Sequence, residues 1–348
     1  MDNYKLKRNI YSSIFLSFVV LISFVILELL RLYCQSMFGD IANYKELFEE
    51  IESVSYVFGK GYGIEYYYSK IEIGFSLLIS VFKIFSNSYD LFLFLISIIE
   101  LLTFYFFCRK FEISFVNVLP IYVAMFFITF EIGMLRQALG FCCFLVALVY
   151  IRKKSIYLLF ICLGAMFHIS TVFCILFIWV DKFVNRKLYY SIIFFSICIY
   201  ILQLDIVSLF VGYIETISIG NLGRVSFYLD VDRPNNYLGI GFWERIILLI
   251  VLSLMYVDLR RRNKINRYNN ILFNLGMSLI IFQMIFFMSP TITSRLRYFI
   301  IIFPGIFIAQ YLYIEYGNRF IKGLGPLYKL AFSGYLLMHL FFLSSYLK

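Results

Sequence analysis

Arg136 and Gln137 stand side by side in "FEIGMLRQALGF", residues 130–141, with "VNVLPIYVAMFFIT" before that stretch and "CCFLVALVYI" after it. A guanidinium in hydrocarbon is costly unless it lines a pathway or meets an anion. Its planar fork suits phosphate through two parallel hydrogen bonds, and the neighbouring amide adds a neutral donor. Arg295 and Arg297 flank Leu296 just after "SPTITS", where a later apolar run begins. A helix N-terminus there would add to their attraction for an anion. Side chains two apart lie about 200° round a helix, so both reach one ligand only if the first turn is irregular. His168 lies in "AMFHIST", with small Ala165 before it and Ser170 and Thr171 after it. An imidazole in such a wall can serve as acid, base or phosphate partner. Plainer readings stand beside these: an interfacial turn from which Arg136 snorkels to water, aqueous helix-start charges at 295 and 297, and a hydrogen-bonded core histidine.

Further polar groups come from "FGDIANYKELFEEIESVSYVFGKGYGIEYYYSKIEIGF", which holds Asp40, Tyr44, Glu65, Glu72 and "YYY" at 66–68. Carboxylates accept hydrogen bonds from sugar hydroxyls and aromatic rings stack on sugar C–H faces. The run "ELFEEIE" reads as the solvated face of a short surface helix, and Asp40 and Tyr44, at i and i+4, share a face if that helix starts early.

The elements that must position these groups are apolar. Of 348 residues, 62% are hydrophobic and 15% charged, and mean hydropathy is +0.86. These values exclude a soluble globular domain and describe an all-α, polytopic integral membrane protein. Apolar runs fall at about 10–31, 74–86, 90–108, 116–131, 134–151, 155–180, 188–204, 241–258, 270–289, 295–314 and 327–346, which predicts about nine to eleven transmembrane helices. They form one transmembrane domain over 1–348, with external loops at about 32–73 and 205–240. The first run is read as a retained helix, since it is too long for a signal-peptide core. The seven cysteines lie mostly in apolar runs without paired spacing and read as small hydrophobes.

Basic clusters set the orientation. Lys5, Lys7 and Arg8, Arg109 and Lys110, "RKK" at 152–154, "DKFVNRK" at 181–187 and "DLRRRNK" at 258–264 belong on the cytoplasmic side. The net charge of +10 is explained by these loops and does not call for nucleic acid. If both clusters around 155–180 are cytoplasmic, that segment must leave and return on one side. Its length is too short for two crossings of about twenty residues each, so two re-entrant half-helices meeting near "AMFHIST" are one solution. The other is that one cluster breaks the rule and every run spans. In the re-entrant arrangement, which also asks for a partial insertion at 74–86, Asp40, Tyr44, Glu72, Arg136, Arg224, Arg233, Arg295 and Arg297 collect on the external side.

There is no Walker motif, GxGxxG, HExxH, GxSxG or Cys/His ligand cluster, so nucleotide-driven transport, hydride transfer and zinc hydrolysis lack support, and no metal or cofactor is expected. The order of the pieces is informative. "GDIANYKELF", "EIGFSLLISVF", "MLRQALGFCCFLVALVYIRKKSIYLLFICLGAMFHISTVF", "GNLGRVSFYLD" and "SRLRYF" together resemble the EpsG-like branch of the Wzy polysaccharide polymerases. The strongest match is Arg136–Gln137 followed, after a basic turn, by His168-x-Ser170.

That resemblance implies a GT-C-like membrane glycosyltransferase, independent of nucleotide sugars, in the bacterial cytoplasmic (inner) membrane. Its substrates would be undecaprenyl-diphosphate-linked oligosaccharides of O-antigen, capsule or exopolysaccharide, with membrane lipids and a chain-length regulator as partners. The growing glycan would pass to the terminal sugar hydroxyl of an incoming unit at the outer face. Arg136, Gln137, Arg295, Arg297, Arg224 and Tyr44 would bind diphosphate or glycan, and His168, Asp40 or Glu72 would supply the base. Other classes remain open on residues alone. A flippase of lipid-linked glycans would show internal repeats and midplane charges, and a membrane acyltransferase would pair its histidine with a nearby acid.

Overall fold

The computed structural model describes residues 39–51, 72–122, 134–182, 186–206, 240–289 and 299–316, with Ile22, Val25, Thr293 and Arg297 as isolated further positions. Among them every element is helical: α1 Gly39–Glu50, α2 Ile73–Lys83, α3 Tyr89–Lys110, α4 Phe115–Tyr122, α5 Leu135–Val149 and α6 Lys154–Phe167, then a 3₁₀-helix Ile169–Phe177, then α7 Arg186–Ile201, α8 Ile240–Arg261, α9 Arg267–Ile285 and α10 Ile302–Tyr316. Tyr89–Lys110 and Arg267–Ile285 are long and apolar enough to cross a membrane. Large apolar side chains such as Trp243, Ile247, Ile250 and Leu254 on one face of α8 are exposed, as expected where lipid replaces water. The described residues divide into two compact units between Ile175 and Leu176.

Helix ends follow local chemistry. Ser88 caps α3, accepting from Leu91 N–H at 3.4 Å, with Asp90 in the first turn and Arg109 and Lys110 in the last, matching the helix dipole at both ends. Helices α3, α7 and α8 stop by the same device. Glu112, Gln203 and Asn263 take positive φ of 58°, 53° and 54°, and the next residue donates back across the turn: Ile113 to Cys108, Leu204 to Ile199, Lys264 to Leu259.

In the first unit the chain reverses at His168. That residue is extended (φ −155°, ψ 121°) and ends α6. The Tyr157 hydroxyl then donates to the Cys174 carbonyl at 2.5 Å, although a continuous helix would hold those residues about 25 Å apart. The 3₁₀-helix is therefore the return arm of a hairpin. Beside buried Ser170 in its first turn, Thr171, Cys174 and Phe177 are buried at every third position while Val172, Phe173, Ile175 and Leu176 are exposed, the ridge that i, i+3 eclipsing creates.

Glycines let this hairpin seat closely. A Cβ on Gly74 of α2 would stand 2.6 Å from the Met166 carbonyl oxygen, and one on Gly164 would stand 2.6 Å from Thr171 Cγ2 and 3.0 Å from Cys143 Cβ. A Cβ on Gly140 of α5 would collide with the Thr171 hydroxyl. Three segments thus meet at backbone distance beside His168.

In the second unit the N-terminal turns of α9 hold residues 180–182. Asn274 Nδ2 donates to the carbonyls of Val180 (2.8 Å) and Lys182 (3.1 Å), Asn270 Nδ2 to Lys182 (3.3 Å), and Arg267 pairs with Asp181 at 3.5 Å. The clusters that begin at Asp181 and at Asp258 therefore share one end of this unit.

Candidate functional site

Helix α1 does start early, at Gly39, so Asp40 and Tyr44 fall one turn apart in register. Its Tyr44, Leu47, Phe48 and Ile51 side are buried while Asn43, Lys45, Glu46, Glu49 and Glu50 are exposed, the amphipathic pattern expected of "ELFEE". Tyr44 is 8% exposed and meets the Phe75 ring edge-on at 5.6 Å.

Glu72 is the hub of the first unit. It sits at the N-cap of α2, where its carbonyl accepts from Phe75 and Ser76. One carboxylate oxygen pairs with Arg136 Nη1 at the start of α5. The other accepts from Ile169 N–H, at 3.4 Å, at the start of the 3₁₀-helix. One anion thus joins the N-terminal ends of three helices, where exposed N–H groups favour negative charge. Arg136 also stacks over Tyr44, 5.8 Å from the ring centroid, within hydrogen-bonding reach of its hydroxyl. Its Nε is buried without a partner.

His168 is buried, and its Nδ1 lies 2.5 Å from Ser170 Oγ and 3.2 Å from the Ser170 N–H that donates to it. A ring nitrogen that accepts from a backbone N–H carries the lone pair, which places the neutral ring's proton on Nε2. Gln137 is buried on α5. Tyr44, Glu72, Arg136 and His168 are therefore brought to one neighbourhood by α1, the start of α2, the start of α5 and the hairpin bend. Glu72 and Arg136, read separately in the sequence as base and diphosphate ligand, are partners of each other. Asp40 is placed by its backbone on α1, and Arg224 and Arg295 lie outside the described residues.

The second unit has its own cation cluster. Arg245 of α8 donates through Nε to Gln283 Oε1 at 3.2 Å and through Nη1 to the Tyr200 hydroxyl at 3.4 Å, and stands 5.8 Å over the Tyr200 ring. Arg297, half-buried, lies within its electrostatic reach. Sequence reasoning missed Arg245. The available signal was "FWERIILL", an arginine entering an apolar run beside Glu244.

A family model for the EpsG family matches residues 13–347, nearly the whole chain. No curated protein and no solved structure matches. The match runs through Glu72, Arg136, His168 and Arg245 alike, and so the chain belongs to the EpsG family and to its general role in polysaccharide polymerisation.

Proposed function

We propose that this protein is a Wzy-type polymerase of the bacterial cytoplasmic membrane. It transfers a growing glycan from its undecaprenyl diphosphate to the terminal sugar hydroxyl of an incoming lipid-linked unit at the outer face. The observation that carries this reading is the meeting of Tyr44, Glu72, Arg136 and His168 where the starts of α2, α5 and the 3₁₀-helix converge. In the reaction the acceptor oxygen bonds to the anomeric carbon and the bond from that carbon to the diphosphate breaks. The diphosphate leaves with the electron pair. Cations placed where that negative charge develops lower the barrier.

The geometry divides the labour. With Nδ1 of His168 already accepting from Ser170, Nε2–H is a donor that steadies a phosphate or hydroxyl oxygen. Glu72 is engaged by Arg136, so Asp40, one turn before Tyr44, is the better candidate to take the acceptor proton. In the second unit, taken by itself, Arg245 and Arg297, with Arg295, suit the diphosphate of a lipid-linked unit, because the hydrogen-bond partners of Arg245 are neutral.

Depth supports a lipid-borne substrate. Helix α5 climbs only about 22 Å from the basic turn at 152–154 to Leu135, short of a ~30 Å core. Arg136 then lies below the outer surface, reachable from the lipid side, and the segment 154–177 is a re-entrant hairpin whose tip is His168. The deciding experiment is extension of a purified undecaprenyl-diphosphate repeat unit by the purified protein. Products of two or more repeats are expected; no extension under conditions where the protein translocates the same lipid would instead identify a flippase.

A further inference from the structure

A separate cleft opens at the basic end of the second unit, between α7, α8 and α9, and contains none of the residues assigned to glycosyl transfer. It encloses about 460 Å³, its open mouth included, and is lined by Tyr189, Tyr190, Ser253, Tyr256, Arg260 and Asn274 with two apolar neighbours. The floor is fixed: Tyr256 stacks on Phe273 at 4.0 Å and donates to Asn270 Oδ1 at 3.1 Å, while Asn274 is committed to the carbonyls of Val180 and Lys182.

Two groups are uncommitted. The Tyr189 hydroxyl is buried without a hydrogen-bond partner. The Arg260 guanidinium, exposed at the rim, makes no side-chain hydrogen bond or ion pair among the described residues. The nearby carboxylates are spent elsewhere, Asp258 on Arg262 (3.0 Å) and Tyr311 (3.0 Å), Glu315 on Arg262 and Lys264 (3.3 Å). Among the described residues no carboxylate lines the cleft. An exposed guanidinium with no carboxylate partner, beside a buried and unsatisfied hydroxyl, suits an anionic acceptor.

The surroundings say how that anion arrives. Tyr190 at the mouth is 54% exposed, and Leu254, next to lining Ser253, is 66% exposed and continues the apolar face of Ile247 and Ile250. The cleft therefore sits where a lipid-facing surface meets the cluster "DLRRRNK", which belongs at the cytoplasmic leaflet. Basic pockets between transmembrane helices on that side take anionic headgroups.

We propose that this cleft binds the phosphate of an anionic glycerophospholipid, with Arg260 as counter-charge, the Tyr189 hydroxyl as donor and the acyl chains along Tyr190 and Leu254. The site is independent of the polymerase reading. Native mass spectrometry of the full-length protein in detergent tests it, titrating phosphatidylglycerol against phosphatidylcholine, glycerol phosphate and inorganic phosphate. Phosphatidylglycerol is expected to bind about tenfold more tightly than phosphatidylcholine, and Arg260→Gln to lose about tenfold of that binding. Tyr189→Phe is expected to lose about threefold. Arg260→Lys, which keeps the charge, should retain most of it. Arg261→Gln removes the same charge from an equally exposed neighbour that does not line the cleft, and should leave binding unchanged. Equal losses at 260 and 261 would reduce the effect to a diffuse basic end and overturn the proposal. So would equal phosphatidylcholine binding, or competition by inorganic phosphate as strong as by the lipid, which would mean an adventitious ion only.

Discussion

Arg136 in the first unit and Arg245 in the second are both guanidiniums near the start of an apolar helix, and both lie over a tyrosine ring. Their partners differ. Arg136 faces the Glu72 carboxylate, which is itself tied to the N-terminus of the 3₁₀-helix. Arg245 faces the Gln283 amide and the Tyr200 hydroxyl. A paired cation mainly organises the segments its partner touches, whereas a cation solvated by neutral oxygens keeps its charge for a ligand. Residue type alone would have made the two equivalent.

The contrast can be broken at several strengths. The largest effect is expected from Gly74→Ala, because the new Cβ would press on the Met166 carbonyl, which cannot yield as a side-chain tip can. A loss of several kcal/mol and little folded protein in a thermal-unfolding assay are expected. Gly276→Ala in the second unit meets only Leu252 Cδ1 at 3.2 Å and Pro304 at 3.5 Å, and should cost under about 1 kcal/mol.

Next is Arg136→Ala, which leaves Glu72 without its cation. Chain extension should fall by about a hundredfold or more while the protein still inserts into membranes. Normal long chains from that variant would remove the first unit from the chemistry.

Gln283→Glu gives Arg245 the kind of partner that Arg136 already has. If unspent charge is what matters there, extension activity should drop by about tenfold, with KM for the lipid-linked unit rising. An unchanged KM would make Arg245 a packing residue.

The smallest effect is expected from the mirror change, Glu72→Gln, which gives Arg136 a neutral partner. Both side chains are about a quarter exposed, so the stability loss should be only about 1 kcal/mol. Hydrogen exchange should rise first at Ile169, whose N–H loses a charged acceptor.

Much of the scaffold is visible in hydropathy. The runs at about 90–108 and 270–289 are the helices Tyr89–Lys110 and Arg267–Ile285. A break near "AMFHIST" is one of the two solutions that the basic clusters around 155–180 allow, and the helix Lys154–Phe167 does end there, at His168. What lies beyond local pattern is pairing. Glu72 and Arg136 are 64 residues apart, and nothing near either one says that they meet. The 3₁₀ return arm is also illegible, because "ISTVFCILF" is apolar on its exposed side and, past Ser170 and Thr171, on its buried side too. A three-residue period shows only when polarity alternates with it.

That return arm carries a consequence for how the protein can change length over time. Adding one residue to a 3₁₀ arm turns everything beyond it by about 120°, and would trade the ridge of Thr171, Cys174 and Phe177 for a row of bulky residues such as Phe173 and Leu176. Adding three restores the phase and lengthens the arm by about 6 Å. Drift in this segment is therefore expected to come in steps of three, a rhythm otherwise familiar from codons and here imposed by a helix.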